Sequence, residues 1–347
     1  HHDVIKGNVT FPENDQDIVI IKADGLPTYH FAHAVDDHLM GTTHVIRGDE
    51  WLSSVPLHLQ LFQELGFKAP KYAHIAPIMK NDNGNKRKLS KRKDPEAAVS
   101  YYDEQGIPKE AVKEYLLNIA NSNFENWRKQ NKEKSIEDFE LQLNKMSVSG
   151  ALFDMVKLHD VGKTVISMFT AEKVYEESLK WAKKYDKELE NILQDKEYAL
   201  KVFGIERGNK KPRKDIAKWS DVKENISYMY DDIFEKQEKE YPYQVINEKE
   251  DIKKILEEYM NIYDENDDKQ TWFDKIKELS GKLGYAKEVK EFKANPEMYK
   301  AHVGDVSTVL RVALTMRTNT PDMYEIMKIL GKERIEKRFE EAISQLK

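Results

Sequence analysis

The sequence predicts an α/β unit followed by a long all-α portion. Up to about Pro95, short apolar runs alternate with a helical pattern, which is typical of strand–helix–strand units with a parallel sheet. Beyond that point almost every segment has helical spacing and many charged residues. The chain has 347 residues, of which 39% are hydrophobic and 34% charged, and this suits two or three domains with cores of their own.

The composition excludes several classes of protein. There is no cysteine, so disulfides, thiolate zinc sites and a cysteine nucleophile are ruled out, and the cytosol is the expected compartment. The formal net charge of −6 indicates that any polyanion is bound at local basic patches rather than by the protein as a whole. No run approaches the ~18 consecutive apolar residues that span a bilayer, so we expect no membrane association.

The elements of the α/β unit follow from apolar spacing. The β-branched run at residues 18–21 predicts a buried strand, and residues 43–48 predict a second, short strand. Residues 72–79 predict a third strand after an intervening helix that ends at Gly66. That helix is predicted by the spacing of Trp51, Val55, Leu59 and Phe62.

Three helices of the second portion have clear apolar stripes. One begins near Pro108, another covers residues 305–317, and the last covers residues 332–346. Their stripes consist of Val112, Tyr115, Leu116, Ile119 and Ala120, then Val306, Val309, Leu310, Ala313 and Leu314, then Ile335, Phe339, Ile343 and Leu346.

The run "KRKLSKRKDPEA" at residues 86–97 is the first candidate site. Lys88, Lys91 and Arg92 flank Ser90 on a predicted loop after a strand. Mobile cations suit a phosphate clamp, because charge-assisted contacts strengthen as a transferring phosphate gains negative charge. The alternative is a solvated surface loop.

Three further positions have two interpretations each. Tyr29 is either a ligand contact or an ordinary half-buried aromatic residue. Arg47 either grips a carboxylate or pairs with Asp49 or Glu50 on the surface. The Asp-Asp-His run at residues 36–38 is typical of capping and hydrogen bonding rather than of a metal site.

Two long stretches carry a family resemblance. "KLSKR" resembles the KMSKS signature of class I aminoacyl-tRNA synthetases, with Leu89 in place of Met and Arg92 in place of the last Ser. "DGLPTYHFAHAVDDHLMGTTHVIRGDEWLSSVPLHLQLFQELG" is similar to the glutamyl-tRNA synthetase pattern, and "STVLRVALTMRTNTPDMYEIMKILGKERIEKRFEEAI" continues the similarity near the C-terminus.

The resemblance implies a domain organisation. Residues 1–95 would be the second half of a Rossmann-type catalytic domain, residues 96–170 a helical stem-contact domain, and residues 171–347 a helical-bundle anticodon-binding domain with two subdomains. The family's His-x-Gly-His signature does not occur in the sequence. We therefore expect a C-terminal part of such an enzyme that cannot activate an amino acid alone.

Residue roles are also implied by the resemblance. Lys91 and Ser90 would act on the ATP phosphates. The residues that would contact the anticodon also have a structural alternative: Arg311 would be a solvated helix residue, and Thr320-Pro321 would start a helix. The implied ATP-binding residues are Lys88, Leu89, Ser90, Lys91, Arg92, Glu50 and Met79; the glutamate-binding residues are Tyr29, Arg47 and Trp51; the tRNA anticodon-binding residues are Arg311, Thr320, Pro321 and Arg207.

The implied activity is that of a glutamate–tRNA ligase. Its substrates would be ATP with Mg²⁺, L-glutamate and tRNA(Glu), with no resident metal, and the protein would be a monomer. Two alternatives stay open at this point: a non-catalytic tRNA-binding module, and a glutaminyl-tRNA synthetase.

Overall fold

The computed structural model describes residues 1–346. The chain divides into two compact units, one from His1 to Gly162 and one from Lys163 onward. The predicted order, an α/β unit and then an all-helical portion, is confirmed. The finer division at residues 95 and 170 stays a prediction.

The first unit contains three two-stranded sheets. Strands β3 and β4 are parallel, with Arg47 opposite His74, whereas the other two pairs are antiparallel. The turn between β5 and β6 is Asn83-Gly84, and both residues have positive φ, which an Asn-Gly hairpin turn requires. The strands are β1 His2–Asp3, β2 Gly7–Asn8, β3 His44–Gly48, β4 Lys71–Ile75, β5 Met79–Asp82 and β6 Asn85–Lys88.

Helices α2 and α4 of the first unit lie where the apolar spacing predicts them, although Leu116 of the predicted α4 stripe is 42% exposed. A 3₁₀ turn, Asp49–Ser54, precedes α2, and Gly66 follows that helix with a positive φ of 69°. The helices are α1 Tyr29–Leu39, α2 Val55–Glu64, α3 Val99–Gln105, α4 Lys109–Ala120, α5 Phe124–Gln130 and α6 Met155–Ser167, the last of which contains the boundary between the units. Buried side chains include Val55, Phe62, Tyr72, Ala111, Tyr115 and Phe124.

Two strand predictions are wrong in whole or in part. Residues 18–21 form no strand, and Val19 and Ile21 are 65% and 50% exposed. A β-branched run becomes a strand only where a neighbouring strand pairs with it, and here the segment makes one isolated bridge, between Ile21 and Pro27. The strand predicted at residues 72–79 ends at Ile75, and Met79 begins the β5–β6 hairpin instead.

The second unit is all-helical within the described residues. Its helices surround a core that includes Trp219, Met229, Leu256, Tyr259, Leu310 and Phe339. They are α7 Ala171–Tyr185, α8 Lys187–Ile192, α9 Lys196–Gly204, α10 Val222–Ile226, α11 Asp231–Phe234, α12 Lys249–Ile262, α13 Lys269–Lys282, α14 Val289–Ala294, α15 Val303–Thr315, α16 Met323–Leu330 and α17 Lys332–Ser344.

The apolar stripe of α15 is confirmed, because all five of its predicted members are buried. The alternative that Thr320-Pro321 caps the next helix is wrong. Helix α16 is capped by Asp322, whose Oδ1 accepts a hydrogen bond from the backbone N–H of Glu325 at 3.0 Å. Among residues 1–346, no helix has both the length and the apolar character needed to cross a bilayer.

Candidate functional site

Arg47 lies at the centre of the first candidate site. It is the fourth residue of β3, and its half-buried guanidinium donates from Nε to Nε2 of His74 at 3.0 Å and from Nη1 to Nδ1 of His58 at 3.1 Å. Nη2 donates to the carbonyl of Trp51 at 3.4 Å, and the ring of Tyr72 lies 4.7 Å below Cζ. Three of the five guanidinium N–H groups are thus used, and two have no partner within residues 1–346.

The surface alternative for Arg47 is wrong. Asp49 pairs with Lys6 at 3.2 Å, and the carboxylate of Glu50 lies over Gly48, in space that a Cβ at that position would need. In the described part of the chain Arg47 therefore has no direct carboxylate partner. Its charge is linked to the buried Asp3 only through His74, whose Nδ1 lies 2.6 Å from Oδ2 of Asp3.

Aromatic rings form one wall beside Arg47. Tyr29, the first residue of α1, packs its ring against Trp51 with centroids 4.4 Å apart. Tyr29 is 46% exposed, so the alternative of an ordinary half-buried aromatic residue stays open. The three predicted glutamate-binding residues, Tyr29, Arg47 and Trp51, are thus brought together.

Burial disfavours the charged form of two neighbouring histidines, His58 and His33. Burial lowers the pKa of His58 to about 3, and the adjacent charge of Arg47 acts in the same direction. Burial also lowers the pKa of His33, although its partner Asp37 raises it. His38 instead stacks on Phe67, with centroids 3.7 Å apart, so the run at residues 36–38 is dispersed among different partners.

The basic loop is anchored by a residue that the sequence analysis did not single out. Asp94 is 2% exposed, and its carboxylate accepts two hydrogen bonds from Arg87, at 2.7 and 2.9 Å. It also accepts from the backbone N–H of Ser90 at 2.8 Å and pairs with Lys80 at 3.1 Å. Arg87 first, and then the N–H of Ser90, hold the pKa of Asp94 well below its usual range.

Other cations of the loop extend into solvent. Lys88 ends β6, and Lys91 and Arg92 follow it on the turn that Asp94 closes. All three are exposed, and their side chains form no ion pair with any residue in 1–346. The loop therefore has a fixed base and free charges beyond it, as a phosphate clamp needs.

Met79 lies in the sequence between His74, which contacts Arg47, and the basic loop. It lies opposite Lys88 in the β5–β6 register, and it follows His74 by five residues, so its Cα is at most about 18 Å from that of His74. Its backbone N–H already donates to the carbonyl of Ala151 at 2.8 Å, and its carbonyl accepts from Phe153. Both backbone polar groups of Met79 are thus hydrogen-bonded within the first unit.

Arg311 is the centre of a second candidate site, in the second unit. Its Nη1 donates to Oγ1 of Thr320 and to the carbonyls of Thr320 and Pro321, at 3.3 and 3.2 Å. Burial lowers the pKa of Arg311, so the alternative of a solvated helix residue is wrong. Three of the four predicted anticodon residues, Arg311, Thr320 and Pro321, therefore form one connected group.

Arg207 has a different environment from the one predicted. Its Nε donates to the carbonyl of Phe203 at 2.8 Å, and its Nη1 donates to those of Ile166 and Phe169 at 2.8 and 3.1 Å. Phe203 and Ile166 lie in the last turns of α9 and α6, where a cation stabilises the carbonyl end of a helix. The side chain thus holds two helix ends.

Arg213 belongs to the basic run at residues 207–214, which the sequence offers as a candidate for contact with the tRNA backbone, but it was not singled out there. Its Nη2 lies 3.5 Å from Oδ1 of Asn319, next to Thr320, and its Nε pairs with Asp215 at 2.6 Å. With Tyr228 and Pro321 it lines a cavity of about 60 Å³. A Lys-Pro-Arg run in a loop was the available signal, but its position next to Asn319 depends on tertiary structure.

No set of three or more His, Asp or Glu side chains in residues 1–346 is arranged to hold a metal ion.

Family models match most of the chain. The model described as tRNA synthetases class I (E and Q), catalytic domain, matches residues 1–160, and an anticodon binding domain matches residues 205–343. Both candidate sites lie within the matched ranges.

Curated proteins named glutamate–tRNA ligase are similar to this chain. A glutamate–tRNA ligase from Clostridium perfringens (strain SM101 / Type A) is 55% identical over 347 residues, which are 99% of this chain and 62% of that protein. One from Fusobacterium nucleatum is 30% identical, over 99% of this chain and 66% of its own length. The chain thus spans about three fifths of the length of the first of these curated relatives.

Solved structures agree with these matches. The crystal structure of a glutamate tRNA ligase from Elizabethkingia meningosepticum in complex with its amino acid has a TM-score of 0.71 and 26% identity, and covers 100% of this chain and 66% of its own. A glutamate-tRNA synthetase from Elizabethkingia anophelis has a TM-score of 0.73 and 25% identity. Residues 1–160 therefore belong to the catalytic domain of class I tRNA synthetases for glutamate and glutamine, and residues 205–343 to an anticodon-binding domain.

Proposed function

We propose that the protein acts as a glutamate–tRNA ligase, in which this chain supplies the amino-acid pocket, the ATP-phosphate loop and the anticodon reader. One observation carries the proposal. Arg47 is half-buried beside Tyr29 and Trp51, and none of the residues 1–346 offers its guanidinium a direct carboxylate. An arginine in this state favours a bidentate carboxylate ligand, which the side chain of glutamate supplies.

The chemistry follows from the second group of residues. The α-carboxylate oxygen of glutamate would attack the α-phosphorus of ATP, forming a glutamyl adenylate while the bond to pyrophosphate breaks. Lys91, exposed and unpaired, would stabilise the charge on the leaving pyrophosphate, and Mg²⁺ would arrive with ATP as part of the substrate. The terminal ribose hydroxyl of tRNA(Glu) would then attack the acyl carbon and release AMP.

Anticodon reading is assigned to the second unit. Arg311 supports the loop that carries Thr320 and Pro321, and Arg213 adds a cation beside the same loop. Arginine and backbone groups can read the edges of unstacked bases. Arg207, which holds two helix ends, is assigned a structural part in this surface rather than a base contact.

Two other functions are weaker. A glutaminyl-tRNA synthetase shares the matched catalytic domain, but an uncompensated arginine favours a carboxylate over an amide. A non-catalytic tRNA-binding module would need neither the Arg47 pocket nor the unpaired cations of the loop. The proposal also includes separate catalytic and stem-contact domains, a monomeric protein and a cytosolic location. We further expect that the chain alone does not activate glutamate.

Calorimetric titration of the chain with amino acids tests the pocket. We expect L-glutamate to bind more tightly than L-glutamine, and Arg47→Met to raise the Kd for glutamate by about 100-fold, the effect of losing a charge-assisted bidentate contact. Lys68→Met, which removes an exposed cation of the same unit, is the matched control and should change nothing. Equal binding of glutamate and glutamine, or no effect of Arg47→Met, would refute the proposal.

A further inference from the structure

A continuous hydrogen-bonded chain of side chains surrounds Arg47. It runs from Asp3 through His74 to Arg47, and from there through His58 to His30. The distances along it are 2.6, 3.0, 3.1 and 2.8 Å, all within hydrogen-bond range. These residues come from β1, β4, β3, α2 and α1, so only the fold brings them together.

The direction of every bond in this chain follows from Arg47. A guanidinium has donors only, so each nitrogen that it contacts must accept. Nε2 of His74 is therefore unprotonated, and the proton of that ring lies on Nδ1, where it is donated to the carboxylate of Asp3. Asp3 in turn is held by the backbone N–H groups of Ile5 and Lys6, at 2.9 and 2.8 Å.

The other branch has the opposite tautomer. His58 accepts from Arg47 at Nδ1, so its proton lies on Nε2 and is donated to Nδ1 of His30. His58 is completely buried, and a second proton on this ring would face the guanidinium directly. Two histidines of opposite tautomer thus hold one arginine from two sides.

We propose that His74 and His58 are positioning residues, which orient the guanidinium of Arg47 through two neutral acceptors and leave its charge for a carboxylate ligand. A carboxylate in either place would fix the arginine equally well but would neutralise it. A neutral imidazole fixes direction without charge, so the attraction for an incoming carboxylate is preserved. The proposal rests on the proposed function in one respect, that the ligand of Arg47 is glutamate.

Asparagine and glutamine variants can separate positioning from packing. The amide of Asn is three bonds from Cα, as Nδ1 of His is, and the amide of Gln is four bonds away, as Nε2 is. His74→Gln therefore keeps an acceptor for Arg47, whereas His74→Asn keeps only the donor to Asp3. At position 58 the order reverses, because there Arg47 contacts Nδ1.

Titration of the full chain with L-glutamate should show a crossover. We expect Kd to rise about tenfold or more in His74→Asn and His58→Gln, the effect of a lost hydrogen bond to a charged group. In His74→Gln and His58→Asn the rise should stay below about threefold. A packing role would make Asn the worse substitution at both positions, and that result would overturn the proposal.

The ring tautomers give a readout that needs no ligand. In ¹⁵N NMR spectra at pH 7, His74 should carry its proton on Nδ1 and His58 on Nε2, and Arg47→Met should release His58 to a mixture of tautomers. A proton on Nδ1 of His58 in the unsubstituted chain would overturn the proposal. If the tautomers are as expected but glutamate does not bind, the positioning stands and the choice of ligand in the proposed function fails.

Discussion

The burial of His58 predicts that the first unit loses stability as the pH falls. An unfolded histidine takes up a proton below a pH of about 6.5, whereas burial lowers the pKa of His58 in the folded chain to about 3. Between these values the unfolded state binds more protons than the folded state. The free energy of unfolding therefore decreases as the pH falls through this window, and the loss is complete only near pH 3.

The magnitude follows from the two pKa values. Between pH 7 and pH 5, protonation of His58 lowers the free energy of the unfolded state by the equivalent of about 1.5 pH units. The folded state is not protonated at His58 in this range, so its free energy does not change in this way. At about 1.4 kcal/mol per unit this is about 2 kcal/mol from one side chain. Because His58 is 0% exposed, solvent screening does not reduce this value.

Urea titration followed by ¹⁹F NMR of fluorotryptophan can measure this effect in each unit separately. Trp127 reports on the first unit and Trp219 on the second, which serves as the internal control. In the unsubstituted chain, the free energy of unfolding reported by Trp127 should fall between pH 7 and pH 5. In His58→Asn, which keeps the acceptor for Arg47, we expect this fall to be about 2 kcal/mol smaller. His33 is present in both proteins, so its contribution cancels. A shrinkage below about 0.5 kcal/mol would refute the reasoning.

Three further predictions concern the basic loop and the second unit. Lys91→Met should raise the Kd for ATP about tenfold in a calorimetric titration, while Lys86→Met, an equally exposed cation on β6, should change it less than twofold. Asp94→Asn should raise the hydrogen-exchange rate of the Ser90 amide at least about tenfold, because the anchor weakens; an unchanged rate would show that the loop is held elsewhere. Arg311→Gln should weaken binding of tRNA(Glu) about tenfold and reduce discrimination against altered anticodons. Arg207→Met should instead lower the free energy of unfolding of the second unit by about 2 kcal/mol, with little change in anticodon preference. If filter binding shows that Arg207→Met, and not Arg311→Gln, reduces anticodon discrimination, the roles assigned to the two arginines must be exchanged.

Elements with strong local signals were predictable from the sequence. Residues 44–48 form β3, because the apolar run there has β4 as its neighbour, and the stripe on α15 is buried as its spacing indicated. Residues 18–21 have an equally strong β-branched signal but no adjacent strand in the described chain, and Val19 and Ile21 are exposed. Local preference alone could not distinguish the two cases.

The side chains that support the candidate sites were harder to predict from the sequence than the candidate residues themselves. Arg47 and Lys91 lie in recognisable motifs, whereas His74 and His58 are 27 and 11 residues away from Arg47 in the sequence. Asp94 looks like an ordinary acid before a proline, and its part emerges only when the turn at residues 90–94 brings it back to Arg87. Such residues act through contacts that no spacing rule records.

The anchored loop has an electrostatic consequence of its own. Lys88, Lys91, Arg92 and Lys93 project from a base whose single buried carboxylate is already satisfied by Arg87 and Lys80, so these four like charges repel one another. At low ionic strength the repulsion spreads the tip apart, and a polyphosphate that bridges the cations relieves it. Added salt has two opposing effects, since it lets the empty tip contract while it weakens the grip on phosphate. A polyanion that neutralises these cations is therefore expected to let the tip of the loop contract.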